Sequence, residues 1–175
     1  MSQDTNEKCV YILLTKFTDH ASKAIRGLTR STYTHASIGV DANHEEFYSF
    51  VTNGFRKEQF CRFSKNRRVE TACRLYKIYV SQEIFDEICI ILKRHEACAP
   101  YYKYSRIGVA LCMLHIGHKI RHRYFCSQFV AEILQNSEAI QREKSCSLYL
   151  PDDFMEMKEL DLCYDGNLDG MLQFA

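Results

Sequence analysis

Cys126 opens the apolar half of HRYFCSQFVAEIL, residues 122–134, directly ahead of the polar pair Ser127 and Gln128. Cys126, Phe129, Val130 and Ile133 recur at i, i+3, i+4 and i+7, so a helix here turns the thiol toward the body of the protein. In the first turn of such a helix, unpaired backbone N–H groups and the helix dipole favour thiolate over thiol. A buried structural cysteine satisfies the same pattern. A nucleophile needs in addition a base to take its proton and a group to orient that base. His35 is the candidate base. It lies in TYTHASIGVD, residues 32–41, where Thr34, Ala36, Ile38 and Val40 alternate with Tyr33, His35, Ser37 and Gly39. The first set predicts an inward-packed strand face, and the second a small polar face around one imidazole with room for a substrate.

The elements that must position this pair are legible as periodicities. CVYILLT at 9–15 is an apolar run of strand length, followed by a helical stretch through Ala21, Ala24, Ile25 and Leu28. DANHEE at 41–46 is rich in turn formers, so FYSFV at 47–51 is predicted as the hairpin partner of the His35 strand. ACRLYKIYV at 72–80 predicts another strand. Ser81 then suits the N-cap of a helix in which Ile84, Phe85, Ile88, Ile91 and Leu92 recur. A further helix is predicted from about residue 105 to 115, ahead of the Cys126 helix. No internal repeat, low-complexity tract or linker interrupts the chain. Its 175 residues, 46% of them hydrophobic, predict one globular domain over residues 1–175.

The pairing of YTHASIGVD with YFCSQFVAEIL, in that order, resembles the circularly permuted branch of the NlpC/P60 papain-like superfamily, the YiiX-like proteins, and more distantly the lecithin:retinol acyltransferase-like group. FYSF at 47–50, GFRKE at 54–58, YYKYSRIG at 101–108, SLYLPDDF and LCYDGNL extend the resemblance from about Cys9 to Leu168. In unpermuted relatives the cysteine helix comes first; in the permuted branch the histidine strand does, as here. The resemblance implies an α+β fold, an antiparallel sheet with packed helices, Cys126 as nucleophile and His35 as base. For the third residue, which orients the imidazole, the FYSF match points to Ser49, with Glu46 second and His44 nearer still to the turn. GFRKE matches a short strand after the hairpin.

The implied activity is that of a cysteine-dependent hydrolase, of amidase or peptidase type, working through a thioester on an amide or ester. An acyltransferase using the same thioester and an inert papain-like binding module are the alternatives, the latter because Ser49 is a weak orienting group. The backbone N–H of Cys126 or Ser127 is placed to stabilise an oxyanion. Tyr104 and Tyr124 are candidate cleft residues, with core-edge packing as the competing account.

Other features set limits. With 23 basic and 22 acidic residues, no overall field favours nucleic acid or anionic lipid; the Cys–His pair that the resemblance implies is compatible with a small-molecule, peptide or lipid substrate. The clusters SKNRR at 64–68 and HKIRHR at 118–123 fit solvated surface. No apolar run approaches the ~20 residues that span a bilayer, and MSQDTNEK is unlike a signal peptide, so a cytoplasmic protein without stable membrane insertion is expected. Nine cysteines at irregular spacing fit a reduced compartment better than a disulfide scaffold. Cys112, His115, His118 and His122 form CxxHxxHxxxH, but Gly117 interrupts the run, and neither a metal nor a cofactor is expected.

Overall fold

The computed structural model of the chain describes residues 7–17, 31–41 and 43–174. The helical stretch predicted through Ala21, Ala24, Ile25 and Leu28 lies outside the described residues. Six strands, β1 (Lys8–Lys16), β2 (His35–Gly39), β3 (Phe47–Val51), β4 (Gly54–Glu58), β5 (Ala72–Val80) and β8 (Asp161–Asn167), form one sheet in the order β4-β3-β2-β1-β5-β8. Every neighbouring pair in it is antiparallel. Two short strands, β6 (Lys103–Tyr104) and β7 (Arg123–Tyr124), pair in parallel beside it. The helices are α1 (Lys65–Glu70), α2 (Gln82–Ala97), α3 (Arg106–Met113), α4 (Cys126–Asn136) and α5 (Leu168–Met171), which makes the protein mixed α+β.

The central strand explains why CVYILLT reads as an unbroken apolar run rather than an alternation. Val10, Ile12 and Leu14 of β1 enter the main core, with Ile38, Phe50, Ile88 and Phe129. Leu13 points to the other face, into a smaller core of Phe47, Phe60, Leu75, Leu168 and Met171. A strand covered on both faces has no solvent side to alternate with, and each fully buried Leu, Ile or Phe contributes about 1.5–3 kcal/mol of transfer free energy. The same cover corrects the expectation for β2. Its second face is not open: Ser37 is fully buried and His35 retains 6% of its exposure.

Local signals set the helix starts. The Ser81 hydroxyl accepts the Ile84 N–H at the head of α2, and Ser105 accepts the Gly108 N–H at 3.0 Å at the head of α3. Helix α3 ends at Met113, earlier than the spacing predicts, and His115 two residues later takes a positive φ of 57°. Ser64 caps α1, so the basic cluster at 64–68 forms a short surface helix. Asp152 ties the C-terminal part to the entry of β2 by accepting the backbone N–H groups of Thr32 and Tyr33. Among the described residues, no helix is long and apolar enough to cross a membrane.

Strands β3 and β4 are joined through Thr52 and Asn53, with Val51 opposite Gly54. Gly54 has φ +105°, and a Cβ placed there would come within 2.7 Å of the Tyr102 carbonyl oxygen. Both the backbone conformation and the close approach require glycine. Gly54→Ala is therefore expected to lower stability by about 1–3 kcal/mol, read as a lower urea midpoint at unchanged m-value. An unchanged midpoint would show that the hairpin tolerates a side chain there.

Candidate active site

Strand register brings four polar side chains to one face of the sheet edge. Phe47 stands opposite Glu58 and Ser49 opposite Arg56, so Ser49, Arg56 and Glu58 share a face by the two-residue strand period. His35 reaches that face from β2. Its Nε2 lies 3.0 Å from Glu58 Oε2 and 2.9 Å from Ser49 Oγ. All three residues are buried. Burial alone would push the imidazole down. The charge of the Glu58 carboxylate and hydrogen bonds to Cys126 and Glu58 outweigh it and hold His35 at about 10.

The thiol reaches the imidazole from the other side. Between β2 and β3 the register is limited to Ile38 opposite Tyr48, so Ala36 has no register partner on β3. The Ala36 N–H instead hydrogen-bonds Cys126, as does the Ser127 N–H at the head of α4. Cys126 is the first residue of α4, and the hydrogen bond across the helix start runs from the Phe129 N–H to the Phe125 carbonyl. The N–H groups ahead of it are thus available to an anion. Burial would push the thiol up, but the hydrogen bond and positive charge of His35, with the two backbone N–H groups, bring it below the ordinary thiol value. The Nε2 contacts to Glu58 and Ser49 leave Nδ1 as the ring nitrogen for the thiol. The favoured state is a buried thiolate–imidazolium pair.

The pair lines a cleft of about 530 Å³ whose walls include Phe17, Phe50, Tyr104 and Phe63. Parallel pairing of β6 with β7 sets Tyr104 beside Tyr124, two residues before Cys126. Burial, then the nearby Cys126 charge, pushes the Tyr104 hydroxyl well up, which keeps it a hydrogen-bond donor.

The structure therefore brings together Cys126, His35, Ser49 and Tyr104. It separates the other sequence candidates. Glu46 does not meet the imidazole; it pairs with Lys57 at 2.7 Å and accepts from Gln59. His44 lies beneath Tyr11, with ring centroids 4.5 Å apart. Tyr124 packs against Phe50 and Phe129 and does not line the cleft. The Ser127 side chain turns away to donate to the Tyr149 carbonyl at 2.6 Å, leaving only its backbone at the thiol. Cys112 is buried, whereas His115, His118 and His122 are exposed.

Glu58 was not singled out by sequence. The period of GFRKE places Gly54, Arg56 and Glu58 on one side, but only the pairing of β4 with β3 aims that side at His35. Other cysteines contrast with Cys126: burial pushes Cys73 up to about 12 and Cys112 to about 11.

The pH dependence has two limbs. The thiolate of Cys126, with its lowered folded value, contributes stability above the ordinary thiol value and loses it as pH falls through the folded value. The imidazolium, raised from 6.5, contributes fully below 6.5 and is lost as pH rises through about 10. The ion pair therefore occupies the interval between those folded values. Iodoacetamide at mildly acidic pH is expected to alkylate Cys126 ahead of the other eight thiols, and Glu58→Gln to lower the upper end of the ion-pair interval, because the Glu58 charge holds the imidazolium up while the thiol is held down by His35 and two backbone N–H groups. Peptide mass spectrometry across pH checks this; faster labelling of Cys61 or Cys146 would remove Cys126 as the activated thiol. Compared with known protein families and with curated proteins, the chain matches no family model and no curated sequence significantly.

Proposed function

We propose that the protein is a cysteine-dependent hydrolase of papain-like type, with its histidine strand ahead of its cysteine helix as in the circularly permuted NlpC/P60 proteins. The observation that carries this reading is one imidazole joined to Cys126 on one side and to Glu58 and Ser49 on the other, at the wall of an open cleft. Such a chain of thiol, base and orienting carboxylate is the arrangement that nucleophilic catalysis requires.

In the proposed reaction the Cys126 thiolate attacks the carbonyl carbon of an amide or ester, and the carbonyl π electrons move to oxygen. The Cys126 N–H at the helix start and the Tyr104 hydroxyl, which lines the same cleft, are assigned as donors to the oxyanion, since the Ser127 N–H already serves the sulfur. Collapse of the tetrahedral species breaks the bond to the amine or alcohol, which leaves with the proton of the His35 imidazolium. Neutral His35 then removes a proton from water as it attacks the thioester. Collapse of the second tetrahedral species expels the Cys126 thiolate, which releases the carboxylic acid and restores the thiolate–imidazolium pair. Glu58 stabilises the imidazolium throughout and holds the ring with Ser49. Its presence counts against the inert binding module, which was favoured by Ser49 acting without a carboxylate. Transfer of the acyl group to an amine or hydroxyl would follow the same first half.

A panel of aryl ester, amide and thioester probes tests this. Cys126→Ala is expected to abolish turnover and acyl-enzyme, and His35→Ala to lower kcat/KM by roughly 10²–10⁴-fold. Glu58→Gln should cost about tenfold or more, and more than Ser49→Ala, because it removes the charge that holds the imidazolium. Glu46→Gln, just ahead of β3 and paired with Lys57 rather than with His35, should stay within about twofold. Turnover by Cys126→Ala would sink the covalent mechanism, and absence of any acyl-enzyme with a reactive Cys126 would return the protein to the binding-module class.

A further inference from the structure

The cleft above Cys126 carries charge that the catalytic pair does not use. Arg56 lines it from β4, Arg62 from the short turn Phe60–Arg62, and Arg67 from α1. Among the described residues no carboxylate pairs with any of the three, although Arg68 and Arg74 find Asp169 and Asp165 nearby. Lys57, also at the cleft, is held by Glu46. The one carboxylate in the lining, Glu58, is committed to His35.

Exposed arginines are ordinarily solvated surface charges. Three details set these apart. Arg56 stands opposite Ser49 and on the face of β4 that carries Glu58, so its side chain roots one register position from the imidazole's partners. The Arg67 guanidinium lies 4.0 Å from the centre of the Phe63 ring and 5.7 Å from that of Phe17, which fixes its plane and leaves its N–H edge uncommitted. And three like charges around one cleft repel one another unless an anion joins them. Guanidinium forks match the two oxygens of a carboxylate or phosphate.

We propose that the cleft takes an acyl substrate bearing an anionic group, carboxylate or phosphate, close to the scissile carbonyl and seated on Arg56, Arg62 and Arg67. The reaction part rests on the hydrolase reading; the anion site rests on the arginines alone.

Iodoacetate and iodoacetamide separate the two. Each is attacked by the Cys126 thiolate at its methylene carbon with loss of iodide, and they differ in charge, so the ratio of their rates cancels changes in the thiolate itself. The ratio in the native protein is expected to exceed that of free cysteine by about tenfold and to collapse with added salt. In the triple variant Arg56→Gln, Arg62→Gln, Arg67→Gln it should fall several-fold toward the free-cysteine ratio, the pull of the His35 imidazolium and Lys57 remaining, while Lys158→Gln, outside the cleft, keeps the native one. A native ratio equal to that of free cysteine, or a triple variant that keeps the native ratio, overturns the anion site.

Aryl thioesters of succinate and acetate form the second arm. A kcat/KM preference of about tenfold or more for succinyl, lost in the triple variant, supports the substrate class. Hydrolysis of both without preference overturns it and leaves the hydrolase standing. A charge-dependent alkylation ratio with no hydrolysis of either supports the anion site and overturns the hydrolase. Protection of Cys126 by inorganic phosphate or by succinate decides which anion the forks prefer, and protection by neither counts against the site.

Discussion

The contact between Glu58 and His35, 3.0 Å long and almost closed to solvent, is the constraint on which the rest of the site depends. Two charges taken out of water lose hydration worth several kcal/mol each, and they recover it only through close pairing and satisfied hydrogen bonds. Here the recovery is shared: Ser49 bonds the same nitrogen, and the thiolate faces the imidazolium from the other side. Removing one member leaves the others buried without a counter-charge, which in buried pairs costs about 3–5 kcal/mol. Glu58, His35 and Cys126 therefore behave as one electrostatic unit, with Ser49 bonded into it.

That unit imposes a register on three strands. His35 is on β2, Ser49 on β3 and Glu58 on β4, so imidazole and carboxylate meet across an intervening strand. A slip of one residue in the β3–β4 pairing would turn Glu58 to the opposite face. The main core resists such a slip, because Phe50 and Phe55 are register partners whose rings pack against Phe129. Gly54 permits the tight connection that sets the pairing. Aromatic packing on one face of the sheet thus holds the chemistry on the other.

The thiol depends on a gap rather than on a contact. Where β2 and β3 part after a single register pair, the Ala36 N–H is released from the ladder and the head of α4 fits beside it. A helix start and a strand N–H then converge on one sulfur. The same opening admits the cleft, whose far wall comes from α1 and the turn before it, so the basic cluster that reads as plain surface in sequence supplies Arg67 to the mouth of the site.

Periodicity in the sequence was enough for the nature of most elements: the apolar run of β1, the alternation around His35, the serine-capped helices and the helical spacing that puts Cys126 inward are local patterns, and local patterns report local geometry. The choice of Cys126 and His35 follows from the chemistry a nucleophile needs, with Ser49 suggested by the resemblance of FYSF. Tertiary structure alone decided which carboxylate serves the imidazole. Glu46 is nearer to His35 along the chain, and Glu58 stands 23 residues from it, yet strand pairing sends Glu46 to Lys57 and Glu58 to His35. It also closed the second face of β2, which sequence leaves open, and gathered Arg56, Arg62 and Arg67 around one cleft. Two-residue periodicity tells which side of a strand a residue occupies; which strand lies beside it, and in what register, is a long-range outcome of packing both faces of the sheet.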